Sequence, residues 1–323
     1  MEHVKKQDIK GRMLYLWNEY SVIGVFVVLV ILCSLIAPKF ATPNNFMTIF
    51  RNCATVGVIA LGMTFVIITG GIDLSAGSNF AVCGVILIVL QRSQTIPLFF
   101  CILAACGVGM TVGFINGILI SKAKLPPFIV TLAMGITLRS IVMYICKGST
   151  LKGAKMESFT MLGNGSAFGI IPVPFIIFVI MALLMHLLLS KTKFGTYVYA
   201  VGGNELAARH TGVRVDEIKI ATYMLIGLLI GLASSLEVSR MASVSSTVTG
   251  VDYELEAVTS AIIGGTSFSG GKGKIVGTVI GAVILFIITN MLIHLDVSTY
   301  LSGAVKGLVI TVAVLLQKRE DGN

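Results

Sequence analysis

Residues 262–273 read IIGGTSFSGGKG, a Gly-rich and nearly uncharged stretch set between two runs apolar enough to lie in a bilayer. It has a counterpart at residues 68–78, ITGGIDLSAGS. Aligned, the two match Ile68 with Ile262, Gly70 and Gly71 with Gly264 and Gly265, Ser75 with Ser269, and Gly77 with Gly271. The chain reads as duplicated. In water either segment would be a loop, but each follows a long apolar run directly, which predicts two helices that break where backbone faces something other than lipid. Broken helices at matching positions of two halves are a sequence-level pointer to a solute path. The candidate path residues are therefore Gly70, Gly71, Asp73, Ser75, Gly264, Gly265 and Ser269.

Composition supports that setting. The 323 residues are 55% hydrophobic and 12% charged, with a mean hydropathy of +0.94, against about 25% charged residues in soluble domains. The net charge of +9 does not point to nucleic acid, because the Lys and Arg residues cluster between apolar runs, where charge sets insertion topology. Six cysteines fall in or beside apolar runs with no CxxC and no Cys/His metal spacing, so they read as small packing residues. The expected fold is an all-α polytopic membrane protein with about ten transmembrane helices in two pseudo-repeated halves. Those runs lie near 22–37, 53–70, 76–90, 97–120, 128–146, 172–189, 218–237, 257–264, 275–292 and 300–316. The run at 257–264 is too short to cross alone.

The first 20 residues carry Lys5, Lys6, Lys10 and Arg12 ahead of an apolar run, which raises a secretory signal peptide. No small-residue cleavage site follows and many more spans do, so this segment is expected to be a cytoplasmic end. Residues 38–52 read as a connector, 21–317 as the membrane domain and 318–323 as a cytoplasmic tail. With both termini inside, most cations outside the spans are inside too; Lys147, Lys152 and Lys155 are the exception. Arg139, Lys306 and Glu237 fall in or near predicted spans, where charge is costly. Snorkelling to an interface is expected of Lys306 and Glu237, while Arg139 reads equally as a structural pair or a solute contact. Asp73 is the one clear intramembrane carboxylate, balanced between a functional role and capping the helix that follows it.

The longest inner polar segment is 190–219. Within it Asn204 is an acceptable N-cap, Ala207 and Ala208 are helix formers and Gly212 is a natural stop, which predicts a short helix suited to docking a partner protein. An ordinary ordered loop is the other reading.

NELAARHTGV, residues 204–213, is similar to the EAA-type loop of ATP-binding-cassette importer permeases, whose coupling helix sits on the nucleotide-binding subunit. The matching positions are Glu205, Ala207, Ala208 and Gly212, with Leu206 where the older consensus has Ala; Arg209 lies in the same turn. The stretch ELEAVTSAIIGGTSFSGGKGKIVGTVIGAVI resembles the carboxy-terminal signature of the ribose and other monosaccharide permeases, and ITGGIDLSAGS their first-half signature. The resemblance implies a bacterial inner-membrane subunit, working with a second permease copy or paralogue. Its other implied partners are ATP-binding subunits, which hold ATP and Mg, and an extracytoplasmic sugar-binding protein. This chain itself is expected to bind no cofactor and to hydrolyse nothing. GGTSFSGGKG is not a phosphate loop: Thr266 stands where its first Gly belongs and Gly273 where Ser or Thr must follow Lys272. An ion-coupled secondary carrier fits the repeats and broken helices equally well, but leaves the docking helix unexplained. The scattered histidines support no membrane enzyme.

Overall fold

The computed structural model describes residues 23–37, 39–154 and 157–298, with a few positions between 301 and 311. The expectations for the N-terminal segment, the C-terminal tail, Lys155 and Lys306 lie outside the described residues, as does most of the last predicted span. In chain order the helices are α1 (Ile23–Ile36), α2 (Pro43–Ile68), α3 (Ala76–Arg92), α4 (Leu98–Ser121), α5 (Pro127–Ile145), α6 (Glu157–Asn164), α7 (Val173–Lys191), α8 (Lys193–Gly203), α9 (Glu205–His210), α10 (Val215–Met241), α11 (Tyr253–Ile263) and α12 (Ile275–His294). Six of them, α2, α4, α5, α7, α10 and α12, are long and apolar enough to cross a membrane, while α1 and α3 are apolar but shorter. The described residues thus bear out a polytopic helical protein without fixing the number of spans at ten.

α2 is the centre of the bundle. Every residue from Cys53 to Ile68 is buried, as expected of a helix that is apolar on all faces, and α7, α10, α11 and α12 pack around it. It begins at Pro43, ten residues before the expected start, with Thr42 at the N-cap. Proline at N1 is pre-set for the helix and its missing N–H is one that a first turn leaves unpaired anyway. The predicted connector is therefore partly this helix. α2 and α12 run antiparallel and are pinned by polar pairs along their length: Asn45 and Asn290 exchange amide hydrogen bonds of 2.9 Å, and the Thr64 and Thr278 hydroxyls meet at 2.7 Å.

A second seam joins α4 to α10. Gly109, Gly113 and Gly117 recur at four-residue spacing on α4, and a methyl group at any of them would strike the backbone of Gly227, Tyr223 or Ile220 on α10. Gly231 meets Ala105 and Cys106 in the same way. Small residues at this spacing let two backbones approach closely, which adds van der Waals packing to helix association in lipid. By contrast α7 exposes Val179, Ile180, Leu183, Leu184 and Leu187, a face suited to acyl chains. The cysteines are free and all but Cys106 are buried, as packing residues should be.

Two short antiparallel ladders lie at the end of the bundle remote from α9. β1 (Thr150–Lys152) pairs with β4 (Ser243–Ser245), with Thr150 opposite Ser245 and Lys152 opposite Ser243. β2 (Ser166–Ala167) pairs with β3 (Ile171–Pro172). Arg92, at the end of α3, donates from Nε to the Lys152 carbonyl at 2.7 Å, fixing α3 to that end.

Candidate functional site

Asn204 caps α9 as predicted: its side-chain oxygen accepts from the Ala207 N–H at 2.9 Å. The stop is also where expected. Gly212 has φ +84°; its N–H reaches the Arg209 carbonyl and that of Val213 the Ala208 carbonyl, both at 3.0 Å, the two bonds of a Schellman turn. Ala208 is buried in a small core with Val201 and Val215, whereas Leu206 points outward, 70% exposed.

The polar side of α9 is tied down by ion pairs. Glu205 accepts from Lys219 Nζ at 2.6 Å and from Arg209 at 3.1 Å. Arg209 continues to Asp216 at 2.5 Å, which also accepts from Lys124 Nζ at 3.0 Å. The network joins α9 to the first turns of α10 and to the α4–α5 connector. The hydrogen bond from Lys219 is the main reason that the Glu205 carboxyl is held below its ordinary range, against a smaller opposing effect of burial. The sequence points to Glu205 and Arg209 but not to Lys219, 14 residues beyond the acid, nor to the Lys124–Asp216 pair that extends the network across 92 residues.

The preceding segment differs from the expected loop. Lys193–Gly203 is helical (α8), capped by Thr192, whose hydroxyl accepts from the Gly195 N–H at 3.3 Å. Its Gly, Thr, Tyr and Val residues are indifferent helix formers, so tertiary contacts hold it: Phe194 stacks on Phe65 and the Tyr199 hydroxyl donates to the Gly273 carbonyl at 2.6 Å.

The two Gly-rich breaks come together beside it. α2 and α11 end in the same turn. Gly70 and Gly265 take φ +77° and +84°; Gly70 and Gly71 N–H bond to Ile67 and Val66, and Gly265 and Thr266 N–H to Ile262 and Ala261. In geometry Gly70 therefore corresponds to Gly265, one position off the sequence alignment, because the left-handed residue and not the Gly-Gly pair defines the register. The Gly271 N–H donates to the Ile68 carbonyl at 2.9 Å, and Gly202, at the end of α8, lies against both Ile68 and Gly271. Lys219 lines a shallow cleft with Thr69, Gly70, Gly71 and Tyr223. The α8–α9 segment thus touches both breaks.

The predicted path residues divide. Gly70, Gly265 and Ser269 are exposed, whereas Asp73, Ser75 and Gly264 are buried. Ser75 stands at the N-cap of α3, but α12 starts after Lys274, so Ser269 does not mirror it. Asp73 Oδ1 accepts from the Ser75 N–H at 2.9 Å and from its hydroxyl at 2.6 Å. That is a local turn clamp, and Asn116 extends it with a 3.0 Å bond to the Ser75 hydroxyl. Gly264 lies against the Gly277 backbone, a close helix approach.

The charges in the bundle are also resolved. Glu237 does not snorkel: its carboxylate accepts from the Tyr253 hydroxyl, at the start of α11, at 2.7 and 2.8 Å. Arg139 serves as a structural pair, donating to the Ser246 and Thr249 carbonyls at 3.3 and 2.8 Å. Asp73 is not the lone acid at depth, since α11 also brings Glu254 beside Gly77. Among the described residues no group of His, Cys, Asp or Glu is arranged to hold a metal.

A family model described as a permease component of the branched-chain amino acid transport system matches residues 45–314. The chain belongs to this permease family. Within it, the chain is similar to the ribose import permease of Bacillus subtilis strain 168, at 42% identity covering 93% of this chain and 92% of that one. It is 38% identical to the ribose import permease of Escherichia coli K12, over 98% and 99%. The L-arabinose transport system permease of E. coli K12 is 35% identical over 94% and 91%.

Proposed function

We propose that this chain is the membrane-spanning subunit of an ATP-binding-cassette importer for a monosaccharide, ribose in the first instance, delivered by an extracytoplasmic binding protein. It works as a pair with a second copy or a paralogue. The α9 end faces the cytoplasm, with both termini, in a bacterial inner membrane. ATP and Mg2+ sit on partner ATPases, which grip α9 through Leu206 and its neighbours. The observation that carries this reading is the mechanical continuity from α9 through Lys219 and Gly202 to both Gly-rich turns, which join separate helices, α2 to α3 and α11 to α12, and do not interrupt single ones. ATPase closure displaces α9, and that contact shifts the backbone around Gly70, Gly71, Gly265 and Ser269 at the inner mouth of the path. The matching turns at Gly70 and Gly265 favour two related halves. Greater identity to the ribose permeases than to the arabinose permease favours ribose.

The test is reconstitution with the ATPase and binding protein in vesicles, following labelled ribose. Uptake that requires ATP hydrolysis and the binding protein is expected. Uptake by the purified chain alone, driven by an ion gradient, would make it a secondary carrier and overturn the reading.

A further inference from the structure

Between β4 and α11 the chain leaves the end of the bundle remote from α9 and turns back inside it. Gly250 meets Gly77 backbone to backbone, so that a methyl group on either would strike the other's carbonyl. From Gly77 to Arg92, which bonds β1 at the bundle end, α3 rises about 22 Å at 1.5 Å per residue. In a hydrocarbon core of about 30 Å, Gly250 is therefore deep. Tyr253, stacked edge-on against Phe80 with ring centroids 5.1 Å apart, lies only a turn nearer the surface. Arg139 holds this dip from α5 through the Ser246 and Thr249 carbonyls.

The dip is not sealed by its own chain. Thr247, Val248, Val251 and Asp252 are exposed, Val248 at 70% and Val251 at 44%. The Ser246 hydroxyl beside them is buried with no partner in the protein. Lipid does not solvate such a surface. Non-helical backbone survives at this depth only when covered by protein or facing water, and a carboxylate against acyl chains costs several kcal/mol. The contrast with the unbroken apolar face of α7 is complete.

We infer that residues 247–252 form part of the wall of a water-filled passage for a polyhydroxylated solute. Asp252 and Thr247 supply its hydrogen-bond groups and Val248 and Val251 its apolar contacts. The inference rests on the importer reading, in which solute crosses through this chain. It places the membrane-depth stretch of the path in the dip, leaving the Gly-rich breaks at the inner mouth.

The test uses the assembled importer in membrane vesicles and a charged, membrane-impermeant methanethiosulfonate. V248C and V251C are expected to react about tenfold or more faster than L183C on α7, because only a water-exposed thiol ionises to the reactive thiolate; ribose should slow that reaction. D252N keeps a residue that tolerates the positive φ of 65°. It is expected to assemble normally and import about tenfold more slowly, the loss of one charge-assisted hydrogen bond. If V248C and V251C are as inert as L183C while import stays ATP-driven, the dip is a dry contact with the second copy; the inference fails and the importer reading stands. Normal import by D252N removes Asp252 from the path. Gradient-driven import without ATP overturns the importer reading instead, whatever the labelling shows.

Discussion

Asn204, Glu205 and Asp73 show what single side chains contribute. N204A removes the oxygen that accepts from Ala207 and should cost about 1 kcal/mol of local helix stability, with N204G milder. The readout is ribose-stimulated ATPase activity of the assembled importer, which falls in N204A while basal ATP hydrolysis persists. Glu205 adds a pH dependence. Its carboxyl is held low in the folded state by Lys219, so its stabilisation is present above the ordinary carboxylate range and is lost as pH falls through that lowered value. E205Q is therefore expected to lower the melting temperature at neutral pH, and its difference from wild type should close below about pH 4. The effect is small, below about 1 kcal/mol, because the pairs are partly exposed and screened. At Asp73 the clamp on Ser75 needs one acceptor oxygen, which Asn retains. D73N should assemble and import nearly as wild type, and a tenfold loss of uptake in an intact complex would return Asp73 to the mechanism. Asn204 and Gly212 were legible because caps are a local code written within four residues. The competing readings of Asp73 were not separable in sequence, since they differ only in what the folded chain brings near it.

Elements were legible where a helix is apolar and long, and less so where context makes it. α8 went unseen because its residues have little intrinsic preference; rings and carbonyls from α2 and the second break hold it. The first turns of α2 are hard to read because Pro43 and Asn44 look like a loop, although the Thr42-Pro43 pair is a usable start signal. The four-residue spacing of Gly109, Gly113 and Gly117 is a readable sign of a helix seam, which the sequence analysis does not use. G113L should overpack that seam by at least about 1–3 kcal/mol, seen as a lower melting temperature and less assembled complex in detergent. R139Q leaves the Ser246 and Thr249 carbonyls short of a charged donor, a loss of about 1–3 kcal/mol. Its expected signature is faster amide hydrogen exchange between β4 and α11 with α9 unaffected.

For the whole molecule, family and helical class could be read from three short signatures, because those signatures are turns whose geometry constrains residue type. The pairing of the two breaks was only partly readable. Identity placed Gly70 opposite Gly264, whereas chirality places it opposite Gly265. The dip before α11 was invisible as such: residues 243–252 are short, polar and strand-like, and their depth is set by α3 and α5. At this scale the decisive variant is L206D. It places a charge on an outward position of α9 without touching the bundle, so melting should be unchanged while ATP-driven uptake collapses. Retained uptake would show that the ATPases engage some other surface.

The α4–α10 seam limits how this machine moves. Where two main chains nearly touch over successive turns, no side chain lies between them to slide or re-rotamer, so the couple behaves as a single beam. Gating must then be taken up in softer joints around it, at the Gly70 and Gly265 corners and along the flank of α5. A crosslink engineered between α4 and α10 should accordingly leave turnover intact, whereas one fastening the Gly265 corner to α8 should arrest it.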